Sequence, residues 1–289
     1  MTSFDEKILK VVKTIDDNAL SVDMFKDKWV SILGDSISTF PEYIPDEMIA
    51  AEHEGLDTVD KEWWHIVLTK LGAKLCVNCS CSGMKASGDD ELKGAAINEY
   101  GGALHRIVGQ SYKNLDGTTT IAAEEQKPDI ILIYLGTNDL VKNAALGEND
   151  LTRILSFSDP IKYDTFINAY EAILFKMILT YPYATIYCIT PHQSKAGTVT
   201  KYPFNNTASP AWNALSMNEA IRTLALKFQC KMISLNDMNV TCASNHIGSN
   251  RFLLSDGIHP TVYGHKLIAK KVIHDMKSNP ISWNTRNDL

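Results

Sequence analysis

Asp129-Ile130-Ile131-Leu132-Ile133-Tyr134-Leu135, followed at once by Gly136-Thr137-Asn138-Asp139, is the stretch that decides the fold. An apolar, β-branched run without polar alternation describes a strand covered on both faces, the habit of parallel sheets. The Gly and Asn-Asp behind it are turn formers that stop the strand. Residues 29–33, 74–79, 185–189 and 231–235 have the same character. Helical periodicity fills the intervals. Trp63, Ile66, Val67 and Lys70 fall around one helix face within 62–71, and Phe166, Tyr170, Ile173, Leu174 and Met177 repeat at three and four residues. Leu215, Ala220, Leu224 and Phe228 do likewise, as do Tyr263, Leu267, Ile268 and Val272. Such alternation predicts a three-layer α/β/α domain, with five parallel strands joined by right-handed crossovers.

Bulk properties narrow the function. The chain has 289 residues, 45% hydrophobic and 21% charged, with a net charge of −6. That is ordinary for a globular domain with a sizeable core. No stretch concentrates Lys and Arg, which argues against nucleic acid or an anionic membrane as partner. No apolar run approaches the roughly 18 residues of a membrane span. The N-terminus lacks the apolar core of a signal peptide. The expectation is a cytoplasmic protein, or a domain excised from a larger or processed one. Residues 1–27 are expected to be a helical extension, with Phe4, Ile8, Val11, Val12 and Ile15 on one face, and 28–289 the main domain. Docking against the domain and a remnant helical stalk both fit that extension. Of the six cysteines, Cys76 and Cys188 lie in apolar runs, and Cys230 ends an apolar helical pattern. They read as buried reduced thiols, because a chain this long needs no staples. Cys79 and Cys81 lack a second pair at zinc spacing, and His53, His65, His105, His192, His246, His265 and His274 show no metal-ligand spacing. No metal and no cofactor are expected, and those histidines read as surface or satisfied core residues.

The chemistry sits at strand ends. Gly34-Asp35-Ser36 follows the first strand and Gly136–Asp139 the third, so both fall at the carboxyl edge of the sheet, where ligands bind. A serine hydroxyl attacks carbonyls only when a base takes its proton. Ser36 by itself would serve equally as the N-cap of a following helix. His259, in Ser-Asp-Gly-Ile-His-Pro, is the candidate base. Asp256, three residues earlier across a turn, could accept from its Nδ1 and leave Nε2 for Ser36, or could cap the helix starting near Pro260. The Asn138 amide could donate to an oxyanion, and Gly83 could bring a backbone N–H close to a ligand or simply occupy a turn.

Ser36, Gly83, Asn138 and His259, in this order and context, resemble the four blocks of the SGNH (GDSL-type) hydrolase superfamily over about residues 28–275. The resemblance implies a flavodoxin-like sheet and a Ser36 nucleophile. It also implies an oxyanion hole from the Ser36 and Gly83 N–H groups with the Asn138 amide, and a His259 base supported by Asp256. The first block reads Gly-Asp-Ser-Ile-Ser-Thr instead of the common Gly-Asp-Ser-Leu, and Met84-Lys85 follow Gly83 where small polar residues are usual. The expected activity is hydrolysis of a small-molecule or glycan ester. Many members deacetylate carbohydrates, and Tyr202, Phe204 and Trp212, in the long connection after the fourth strand, are candidate sugar contacts. A lipase, thioesterase or arylesterase is the alternative within this chemistry, and a non-catalytic glycan-binding module of a larger assembly the alternative outside it. A second long connection, 87–126, fits a cleft wall, a lid or an oligomer contact.

Overall fold

The computed structural model describes residues 24–44, 46, 49, 55–88, 126–142, 144–156, 164–194, 214–238 and 251–280. The expected extension at 1–27 lies outside these residues apart from its last four, as do Tyr202, Phe204, Trp212 and most of both long connections.

Five strands make the middle layer: β1 (Trp29–Gly34), β2 (Lys74–Asn78), β3 (Ile130–Tyr134), β4 (Thr185–Ile189) and β5 (Lys231–Ile233). All pairings are parallel and the order is β2-β1-β3-β4-β5. This is the flavodoxin-like arrangement. Gly34 lies opposite Tyr134 in the register, so β1 and β3 end at the same level.

Side-chain alternation assigns each face its own core. Leu33, Ile131, Ile133, Ile186 and Cys188 point to one side, against α3 (Phe166–Thr180) and α4 (Ala214–Lys227). Val30, Ile32, Ile130, Leu132, Tyr187 and Ile189 point to the other, against α1 (Trp63–Leu71) and α5 (Val262–Ser278). The short helix α2 (Thr137–Val141) caps the end of β3. All five predicted core positions of α3 are fully buried. The other helix faces differ from expectation at their ends. On α1 the buried stripe is Trp63, Trp64, Val67, Leu68 and Leu71, with Lys70 exposed. On α4, Met217 and Ile221 are buried while Leu215 is exposed, and on α5 Tyr263 is exposed beneath the Arg251 guanidinium, 4.1 Å from its ring centre.

Cys79, Cys81 and Cys188 are buried, and Cys76 and Cys230 are half-buried. Among the described residues, no helix is long and apolar enough to cross a membrane.

Candidate active site

Ser36 opens a single 3-10 turn, Ser36–Ser38, and not the full helix expected after β1. The cap of that turn is Asp35, whose Oδ1 accepts the Ile37 N–H at 3.0 Å. Ser36 is therefore not needed as a capping residue, and its hydroxyl is committed elsewhere. Its Oγ lies 2.8 Å from His259 Nε2, across 223 residues of sequence.

His259 reaches that point from a closed loop. The Leu254 N–H donates to the His259 carbonyl, and the Thr261 N–H to that of Phe252, each at 2.8 Å, which pins the neck of the loop. At its apex, Asp256 Oδ1 accepts the N–H groups of Ile258 and His259 at 2.8 and 3.0 Å. Its Oδ2 stands 2.5 Å from His259 Nδ1. A carboxylate only accepts, so Nδ1 carries the proton and Nε2 is left to accept from the serine hydroxyl. The partial burial of the Asp256 carboxyl pulls it upward, but the bonds from His259 and the two backbone N–H groups outweigh it and hold the group below the ordinary carboxylate value. Asp256 does not cap the last helix, because Thr261 does so by accepting the Gly264 N–H at 3.1 Å.

Asn138 and Asp139 hold the loop beyond β2. The Asn138 amide donates to the Met84 carbonyl at 3.1 Å, and lies 3.4 Å from Asp35 Oδ2. Asp139 accepts the N–H groups of Ala86 and Ser87, at 2.7 and 2.9 Å, and the Ser87 hydroxyl at 2.5 Å. Gly83, with φ of 74°, makes the left-handed turn that feeds this loop, a conformation glycine adopts without strain. The structure thus links Gly83's loop to Asn138 directly, and Ser36 to His259 and Asp256. Among the described residues, no group of three or more His, Cys, Asp or Glu is placed to hold a metal ion.

Sequence reading gave no functional role to three groups. Asp35 and Asp139 are fully buried carboxylates, both pushed upward chiefly by burial, Asp35 to about 7. Their signal was their place inside the Gly-Asp-Ser and Asn-Asp motifs, where the neighbouring residue drew the attention. His192 is buried between Tyr134 and the Ile258 carbonyl. A histidine three residues beyond the carboxyl end of β4 was its only mark.

The fold has known counterparts. A GDSL-like lipase described from Bacteroides ovatus shares 23% identity with a TM-score of 0.58, covering 88% of this chain and 99% of its own. A Lactobacillus plantarum protein shares 18% at a TM-score of 0.59, covering 89% of this chain and 99% of its own. A carbohydrate esterase family 2 enzyme with a carbohydrate binding domain, from Corynascus thermopiles, shares 17% at 0.54, covering 88% of this chain and 67% of its own. No curated protein matches the chain. The family described as GDSL-like Lipase/Acylhydrolase matches residues 28–203, a span that holds Ser36, Gly83 and Asn138 and ends before Asp256 and His259. With a parallel α/β/α fold and more than half its length matched, the chain belongs to the GDSL-like lipase/acylhydrolase family, within the SGNH superfamily, and is an ester-hydrolysing serine hydrolase.

Proposed function

We propose that the chain is an acetylesterase acting on a carbohydrate, with Ser36 as nucleophile, His259 as general base and Asp256 as the group that orients it. The observation that carries the catalytic part is the continuous contact from Asp256 through His259 to the Ser36 hydroxyl. Ser36 Oγ attacks the ester carbonyl while His259 Nε2 takes its proton, and the imidazolium formed is stabilised by Asp256. The carbonyl oxygen becomes an oxyanion, received by the backbone N–H groups of Ser36 and Gly83 and the Asn138 amide. His259 then protonates the departing alcohol. Water, activated by the same imidazole, releases the acyl group from Ser36.

The substrate part rests on less. It is supported by the fold shared with the carbohydrate esterase and by Tyr202, Phe204 and Trp212, aromatic residues able to stack on a sugar. An ester of short acyl chain fits a nucleophile that is only 5% exposed.

Turnover of p-nitrophenyl esters tests both parts. Wild-type protein should cleave the acetate in the presence of chelator, and Ser36→Ala should reduce kcat by at least 10³-fold, since the residual rate comes from binding and oxyanion stabilisation (about 10³–10⁴ over water). Asn138→Ala should cost on the order of 10²–10³-fold in kcat. Full activity in Ser36→Ala would sink the mechanism. Rates should drop sharply beyond two acyl carbons and be highest on acetylated sugars. A maximum at eight carbons or more would replace the acetylesterase by a lipase.

A further inference from the structure

We propose that His192 is a positioning residue for catalysis: it fixes the peptide that carries the base, through the carbonyl of Ile258, from a seat on the sheet. The inference rests on the roles given above to Ser36 and His259. His192 is 1% exposed. Its Nε2 lies 2.8 Å from the Ile258 oxygen and its Nδ1 2.6 Å from the Tyr134 hydroxyl. A carbonyl only accepts, so Nε2 must carry the hydrogen and Nδ1 must accept from Tyr134. One tautomer satisfies both contacts. Burial pushes the imidazole down to about 4, so it remains neutral in neutral solution and its donor to Ile258 is constant.

The seat is rigid. Thr190, two residues earlier, donates its N–H to the Ile233 carbonyl, and its hydroxyl oxygen accepts from the Leu235 N–H, both at 2.9 Å. Tyr134 is the last residue of β3, directly beside Gly34, with its ring edge-on to Trp63 at 5.5 Å. Phe252, at the neck of the catalytic loop, packs edge-on to the imidazole at 5.4 Å. His192 therefore ties the apex of the 254–260 loop to the ends of β3 and β4. Ile258 immediately precedes His259, so any slack in that carbonyl is transmitted to the separation between His259 Nε2 and Ser36. A misplacement of about 1 Å at a reacting pair can cost roughly 10²-fold in rate.

The experiment compares His192→Phe, which keeps the ring packing and removes both hydrogen bonds, with His192→Gln, whose side-chain amide can again donate to Ile258. Tyr134→Phe is the third variant, leaving the His192 ring in place without its tautomer lock. Each is assayed on p-nitrophenyl acetate, with labelling of Ser36 by a fluorophosphonate and thermal unfolding in parallel. His192→Phe should lose about 10–100-fold in kcat with KM within about twofold. His192→Gln should recover most of that loss, and Tyr134→Phe should lose a few-fold. Wild-type kcat in His192→Phe, a loss confined to KM, or equal losses in the Phe and Gln variants would each overturn the proposal. If His192→Phe does not fold, the Gln and Tyr134→Phe results decide by the same criteria. Wild-type protein that neither turns over ester nor takes label at Ser36 would instead refute the serine-esterase reading.

Discussion

Asp35 is a residue whose surroundings oppose its ionisation. It is wholly buried one position before Ser36, and its carboxyl is pushed from 3.8 to about 7. Burial is the main cause, opposed by the Ile37 N–H and reinforced by the Asp139 carboxylate. A raised carboxyl favours the protonated folded state, so folding stability is full below about 4 and falls as pH rises to about 7, flattening above. The difference, roughly three pKa units, corresponds to about 4 kcal/mol. Asp35→Asn keeps an acceptor for Ile37 and removes the ionisation. Its stability relative to wild type should therefore improve by a few kcal/mol between pH 4 and pH 8, read by urea unfolding at both. A gap that does not change with pH would mean the carboxyl is not raised. Motif reading singled out Ser36, Asn138, Asp256 and His259 because each is a reactive or donor side chain beside a strand end or turn. It could not find what those groups lean on. The Met84 carbonyl under Asn138 is 54 residues away and Ile258 is 66 residues from His192. Such contacts have no spacing rule until the sheet order is known.

At the scale of elements, the junction between the 254–260 loop and α5 has little room for change. Thr261 caps α5 and also donates its hydroxyl to the Arg251 carbonyl at 2.6 Å. Gly264, in the first turn, faces the loop's neck: a Cβ there would stand 2.7 Å from that of Pro260 and closer still to the Phe252 oxygen. Backbone and a proline ring cannot step aside cheaply. Gly264→Ala should push α5 away from the neck, cost about 1–3 kcal/mol as other overpacked sites do, and lower kcat because Pro260 adjoins His259. Thermal unfolding and ester turnover check the pair, and an unchanged kcat in a destabilised variant would uncouple helix from loop. The strands were legible because burial on both faces leaves an unbroken apolar run, and Thr185–Ile189 matches its predicted bounds. Helix phase was less so. Leu215 and Tyr263 lie in first turns, where the chain is leaving the core's edge, and periodicity alone does not say where a helix stops touching the sheet. Glu62 and His265, a buried pair 3.3 Å apart between α1 and α5, carried no sequence signal at all.

Across the whole molecule, the order β2-β1-β3-β4-β5 explains why so few residues make a site. Connections leave β1 and β3 in opposite directions, and that divergence opens a crevice at their carboxyl ends. Ser36 follows β1 and Asn138 follows β3, so the crevice has the serine hydroxyl on one side and the amide on the other. The loop after β2 and the 254–260 loop close the remaining sides through Asn138, Asp139 and His192. The strand runs and their order of occurrence predicted this edge. The strand order itself came through the family resemblance, since five similar apolar runs do not say which lies beside which. A tetrahedral phosphonyl group on Ser36 places a strongly polarised phosphoryl oxygen where the ester oxyanion would stand, and should tighten the whole carboxyl edge at once. Amide hydrogen exchange of the fluorophosphonate adduct against free protein should slow in 34–39, 81–88, 136–142 and 253–261. It should be unchanged at the amino-end turns around 72–74 and 181–185, which lie at the far end of the same strands. Slowing at 34–39 without any at 81–88 would remove Gly83 from the oxyanion site. Slowing at the amino ends would mean that the crevice is not where the adduct is held.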